Sequence, residues 1–207
     1  MIYKLGRRNG VFVIGASKTI SNLTIEDAVN KIIESKYGLH CMIIYPNLPT
    51  FRNFYTYYIK RQLDEKNEII LFNPFYETVG MVRQNLSMGH VHVDEYEYKS
   101  DISLIIADSL NQYFGKVPMV KFKERLVKYA IEKRKDGISI LSDMGSYFFK
   151  MLYKELIHYE LSLPIQFDAP LKGLCVYNQL DFDNRLTEKQ KQDMVDHHSM
   201  AIELKSI

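Results

Sequence analysis

Tryptophan is absent, so aromatic bulk comes from 15 Tyr and 11 Phe. Cysteine is scarce. The two residues, Cys41 and Cys175, lie far apart and inside apolar runs. That pattern fits reduced, buried thiols in a cytoplasmic protein and provides no disulfide framework. Neither charge sign predominates. The formal net charge is +2, so no strong field advertises nucleic acid or an anionic membrane. No stretch approaches the ~20 apolar residues of a membrane span, and no signal peptide is visible. Internal repeats, low-complexity tracts and obvious linkers are also missing. What remains is a chain of 207 residues, 46% hydrophobic and 25% charged, an ordinary composition for one globular domain with room for an appendage.

The stretch from His40 to Pro74 organises the reading. Its flanks, His40 to Tyr45 and Glu68 to Asn73, are nearly continuous apolar runs, as strands buried on both faces should be. Between them Phe51, Phe54, Tyr55, Tyr58, Ile59 and Leu63 recur at the spacing of one helix face. Strand, helix and strand with short joints make a βαβ unit. Ligands of such sheets sit beyond the carboxyl ends of the strands, which draws attention to the joint from Tyr45 to Thr50.

The remaining segments extend the alternation. Asn9-Gly10 predicts a hairpin turn between Ile2–Leu5 and Val11–Ile14. Gly15 to Ser21 reads as loop, and Thr24 caps a helix through Ile25, Ala28, Val29, Ile32 and Ile33. Val79, Val82 and Leu86 mark a helix stopped at Gly89, and His90 to Lys99 reads as an edge strand or loop. Ile102 to Ala107 is a strand, and Pro118 opens a helix through Met119, Phe122, Leu126 and Ala130. A strand ends at Asp143, and one amphipathic helix is expected from Gly145 to Leu163. Leu171 to Tyr177 is the last clear strand. Thr187 and Gln190 form a capping box for a final helix with the stripe Met194, Val195, His198 and Ile202. The fold class is therefore α/β, with a mostly parallel sheet of roughly five or six strands flanked by helices. Residues 1–37 would be a hairpin-and-helix elaboration on a domain spanning 38–207.

Signals for chemistry are sparse. Gly15-Ala16-Ser17-Lys18-Thr19 is a poor phosphate loop, because Ser17 and Phe12 stand where its glycines belong. Tyr45 to Thr50 has two prolines and no glycine, so it offers few free N–H groups to a phosphate. A small, weakly charged molecule suits it better, unless Asn47 or Thr50 simply caps the helix. Asp143 ends a buried strand, where it can serve a ligand or cap the next helix. His40, Cys41, Cys175 and His198 are soft metal donors, but no C-x-x-C or H-x-x-x-H pair organises them. His197 and His198, if helical, point about 100° apart. No metal centre is expected from these spacings, and no local spacing supports a Ser-His-Asp or Cys-His device.

In their order, the pieces resemble the MEDS domain, the methanogen/methylotroph sensory domain, from about His40 to Ile202. They are the histidine-led strand His40 to Tyr45, the helix ending Gln62-Leu63-Asp64-Glu65-Lys66-Asn67-Glu68, and the strand Ile69 to Phe72. Ser142-Asp143-Met144, Tyr159-Glu160, Leu174-Cys175-Val176-Tyr177-Asn178 with Phe182, and the late His198 complete the set. The resemblance implies a RecA- or KaiC-like core with a degenerate nucleotide site, and a sensory role in prokaryotic signalling or transcription regulation directed at small hydrocarbon derivatives. Asn67 departs from the glycines usual near the end of the first crossover helix, and Met1 to Tyr37 lies outside the match.

Together these readings predict a cytoplasmic, non-catalytic ligand-binding domain without a cofactor. Its small organic ligand would lie among Tyr45, Asn47, Asn73, Asp143 and Tyr177. Output would pass through a signalling or DNA-binding partner protein, since no such module is attached. Membrane association and direct nucleic-acid contact are not expected, and self-association is left open. Two other classes compete: a degenerate RecA-like ATPase or nucleotide-binding protein with Asp143 as a metal-binding acid, and a protein-interaction scaffold or nucleic-acid-binding accessory factor using Arg7-Arg8 and the lysines from Lys121 to Lys135.

Overall fold

The structure, a computed structural model, describes residues 18–97, 102–116 and 119–207. In chain order the elements are β1 (Ser21–Leu23), α1 (Ile25–Glu34), β2 (His40–Tyr45), α2 (Leu48–Glu65), β3 (Glu68–Asn73), α3 (Val79–Met88), α4 (Val93–Glu97), β4 (Leu104–Ile106), α5 (Ser109–Phe114), α6 (Met119–Glu132), β5 (Gly137–Asp143), α7 (Gly145–Phe149), α8 (Tyr153–Ser162), β6 (Leu171–Asn178), α9 (Gln179–Arg185), α10 (Glu188–His197) and β7 (Met200–Leu204). The strands form one 7-stranded sheet in the order β1-β7-β2-β6-β5-β3-β4. Every neighbouring pair is parallel. This is an α/β arrangement consistent with a Rossmann- or RecA-like fold, and the alternation of apolar runs and helical stripes implies its layered class.

Both faces of the sheet are covered, and strand alternation sorts residues between them. Cys41, Ile43 and Tyr45 of β2 pack with Leu174 and Val176 of β6 against α1, α2 and α3. Met42, Ile44, Cys175 and Tyr177 face the opposite layer with α7, α8 and α10. On that same side, Ile69, Leu71, Ile138 and Ile140 meet Leu126 and Ala130 of α6. Caps set the helix starts: Thr24 Oγ1 accepts from Asp27 N at 3.1 Å, and Asn47 Oδ1 accepts from Thr50 N at 2.9 Å. The Thr187–Gln190 capping box is present at α10. No helix among the described residues is long and apolar enough to cross a membrane.

Several expectations need correction. Among the described residues the sheet has 7 strands rather than five or six. Ile202 belongs to β7, and His198 is the C-cap of α10, so neither lies on a helical stripe. Ser21 opens β1 rather than ending a loop. Gly145 to Leu163 is two helices, separated where Met151 takes φ 56°. Residues 93–97 form α4 rather than part of an edge strand or loop. The hairpin around Asn9-Gly10, the glycine-lysine loop up to Ser17, Arg7-Arg8 and Pro118 lie outside the described residues. From the opening segment, β1 pairs with β7 and α1 packs on α2, within the same sheet and core.

One buried cation ties these parts together. Lys172 on β6 donates from Nζ to the carbonyls of Ile32 and Ile33, each at 3.1 Å, where α1 ends. Its charge lies 4.0 Å from Glu68, which also accepts from Tyr37, Gln62 and Ser139. The cation thus satisfies orphan carbonyls of a helix C-terminus and balances a buried acid. Lys172→Met should leave Glu68 uncompensated and lower stability by about 3–5 kcal/mol. Lys189→Ala, at an exposed pair, should change stability by no more than about 0.5 kcal/mol. Urea denaturation of both variants measures the contrast.

Candidate functional site

The carboxyl ends of the strands bring only part of the expected set together. Tyr45 and Asp143 share one face, with the phenol 3.5 Å from Asp143 Oδ2. The Tyr45 ring stacks on Phe51 at 4.4 Å, at the start of α2. Asn47 is committed elsewhere, capping α2 and donating to Ser206 Oγ at 3.1 Å. Asn73 lies on the other face, where Nδ2 donates to Ser142 Oγ at 3.0 Å. Its Oδ1 is buried without a hydrogen-bond partner among the described residues. Tyr177 also faces the second layer and donates to Glu160. The pleat is the reason: Asn73 and Tyr177 sit at strand positions opposite in parity to Tyr45 and Asp143.

Asp143 is closed off from solvent. Its Oδ1 accepts from Gly145 N at 2.9 Å, so the acid holds the first turn of α7. Rings seal it, because a Cβ on Gly145 would lie 2.5 Å from the Phe75 ring and 2.6 Å from Tyr76. Only glycine lets those rings approach. Burial pushes the Asp143 carboxyl up to about 7, against the backbone N–H groups of Gly145 and Phe75 and the Tyr45 hydroxyl.

Outside this seal lies an aromatic cleft of about 370 Å³, lined by Phe75, Tyr76, Phe148, Phe149, Met151, Tyr153, Asp181 and Arg185. Phe149 and Met151 are 68% and 74% exposed, a poor placement for apolar groups unless something covers them. Met151, left-handed at φ 56°, follows the Lys150 C-cap of α7. Asp181 accepts from Tyr76. Burial raises its carboxyl, opposed by Arg185. Sequence reasoning missed the cleft because its rings come from the β3–α3 joint, α7 and α8 and its charges from α9, which share no local spacing. A larger cleft, about 440 Å³, lies at the ends of β2 and β7 and is lined by mixed charges including Lys18, Asp183, Glu188, Lys191 and Glu203. Lys191 there pairs with Glu188 and Asp183.

At the amino end of β2 the structure gathers a second group. His40, Cys175 and His198 meet under the sheet with Glu160 of α8, all buried. Cys41 is excluded, since it faces the α1–α2 layer. Burial alone would raise the Glu160 carboxyl, but His198 and His40 outweigh it and hold it below the usual carboxylate range. Burial lowers the His40 imidazole despite Glu160. It also raises the Cys175 thiol, as does the neighbouring carboxylate. Glu160 carries no metal-ligand spacing with the other three, so the sequence signals it only as part of the Tyr159-Glu160 piece.

No protein-family model matches the chain, and no curated protein matches it at a significant level.

The raised Asp143 carboxyl has a pH signature. A carboxyl raised on folding binds its proton more tightly in the folded chain, so stability falls as pH climbs from its ordinary value of 3.8 to about 7. Relative to Asp143→Asn, the wild type should lose on the order of 3 kcal/mol between about pH 5 and about pH 8. Urea midpoints of the two proteins across that range measure the loss, and a constant difference would contradict it.

Proposed function

We propose that the chain is a non-catalytic sensory domain that binds a small organic molecule in the aromatic cleft at the carboxyl ends of β3, β5 and β6. The cleft carries this reading. Its volume of about 370 Å³ lies within the range of small-molecule sites, and such sites combine apolar walls with a few polar groups. Phe75, Tyr76 and Phe149 supply ring faces, while Asp181 and Arg185 supply orientation. The position agrees with the rule for parallel sheets. The resemblance to the methanogen/methylotroph sensory domain points to the same class of ligand, a hydrocarbon derivative.

Two features argue against the nucleotide reading. In the joint from Tyr45 to Thr50, Pro46 and Pro49 have no N–H and Thr50 N is taken by the Asn47 side chain, while Phe51 N just beyond it bonds the Asn47 carbonyl. Asp143 is sealed beneath rings rather than open to a metal-bound phosphate. A signal requires that the ligand favour one of two conformations. The short helix α7 and the turn at Met151 are the parts in contact with both the ligand and the core. Output then passes to a separate partner protein.

A thermal-shift screen with small aromatic and aliphatic compounds tests this. At least one class should raise the melting temperature of the wild type. Phe149→Ala should weaken its binding by about 5–30-fold, or ~1–2 kcal/mol. Because Phe149 is exposed, the same change should alter stability by no more than about 0.5 kcal/mol. No response to any compound, together with magnesium-ATP binding that Asp143→Ala abolishes, would favour the nucleotide reading instead.

A further inference from the structure

We propose that His40, Glu160, Cys175 and His198 form a closed, four-ligand site for a divalent transition metal of zinc type. The site lies at the amino end of β2, away from the aromatic cleft, and does not depend on ligand binding there.

The donor atoms converge. His40 Nε2 and His198 Nε2 lie 3.6 and 3.5 Å from Glu160 Oε2, and Cys175 Sγ lies 3.7 Å from His40 Nε2. All four donors fall within 4.8 Å of one another. These separations are too long for charge-assisted N–H···O bonds, which close to about 2.7–2.9 Å. They suit ligands spread around a common centre. Tetrahedral nitrogen and oxygen ligands at about 2.0–2.1 Å from zinc sit about 3.3 Å apart, and nitrogen and sulfur about 3.6 Å apart.

Proton placement gives an independent reason. The His198 Nδ1 lies 2.7 Å from the Met194 carbonyl. A carbonyl only accepts, so Nδ1 carries a proton and Nε2 is the ring atom turned toward Glu160. Glu160 Oε2 faces that atom at 3.5 Å. Both atoms are buried without a hydrogen-bond partner among the described residues. Buried polar atoms left without a partner are costly, and a cation shared by the two would satisfy both.

The supporting contacts are those a metal site requires. The Met194 carbonyl fixes the His198 tautomer, and the Tyr177 hydroxyl donates to the other Glu160 oxygen. Phe167 covers the His40 ring at 5.1 Å, and a Cβ on Gly173 would lie 2.8 Å from Phe167. One carboxylate, one thiolate and two neutral imidazoles balance a divalent charge, with the Cys175 proton released to solvent on binding. Four protein ligands leave no open position, so the site is structural or sensory rather than catalytic. Its ion would link β2, α8, β6 and the α10–β7 junction.

The test uses the full-length chain, reduced, stripped with a chelator and titrated with cobalt(II), with zinc(II) as competitor. The expected result is one cobalt per chain, tetrahedral visible bands, a sulfur-to-cobalt charge-transfer band, and displacement by zinc. Cys175→Ala should lose the charge-transfer band and Cys41→Ala should keep it. Tyr177→Phe should weaken binding by about 10–100-fold. A wild-type chain that retains no stoichiometric cobalt or zinc after gel filtration overturns the proposal without reference to any variant. A band lost with Cys41→Ala but kept with Cys175→Ala overturns it as well.

Discussion

Parallel strands cannot be joined by tight turns, so the chain must cross a face of the sheet each time it returns to start a new strand. In a sheet of 7 parallel strands these crossings cover both faces with helices. Water is then excluded from the inner strands: all six positions of β2 and all seven of β5 are buried. Any polar side chain on those strands must find its partner inside the protein. Lys172, Glu68, Asp143, His40 and Cys175 are all placed under that constraint, and the polar clusters follow from it.

The two faces meet the constraint differently. Beneath α1 and α2, Lys172 and Glu68 carry opposite charges, and Tyr37, Gln62, Ser139 and two helix carbonyls take up the carboxylate and ammonium. That cluster is internally balanced. Beneath α8 and α10, Glu160 faces two imidazoles and a thiol, and its Oε2 and His198 Nε2 have no hydrogen-bond partner among the described residues. The proposed ion would complete that cluster. At the carboxyl edge, Asp143 finds three donors, and rings close over it. That seal leaves the outer surface of the same rings to the cleft.

Much of the architecture was legible. The runs at His40–Tyr45 and Glu68–Asn73 are strands, the stripe from Phe51 to Ile59 is buried, and Thr24 and Thr187 cap as their types imply. The errors have physical causes. His198 and Ile202 stand four residues apart, the spacing of a helix face, so the short strand β7 was hidden within a helical period. Gly145 to Leu163 keeps a plausible stripe throughout, and no glycine or proline marks the break at Met151. The site was less legible than the fold. Cys41 and Cys175 are equivalent as sequence, each within an apolar run, but the pleat sends them to opposite faces. Glu160 looks like an exposed helical acid until α8 is laid against β2 and α10.

Sequence by itself determined the local events: which segments extend, which coil, where helices begin, and that the sheet would be largely parallel. These depend on neighbours within a few residues, and side-chain type and spacing are enough to decide them. Tertiary structure alone decided which donors share a face, that Glu160 joins His40, Cys175 and His198, and that Phe75, Tyr76, Phe149 and Arg185 wall one cleft. Those groupings join residues more than 100 positions apart, and they are set by strand order and register, for which spacing along the chain carries no local signal.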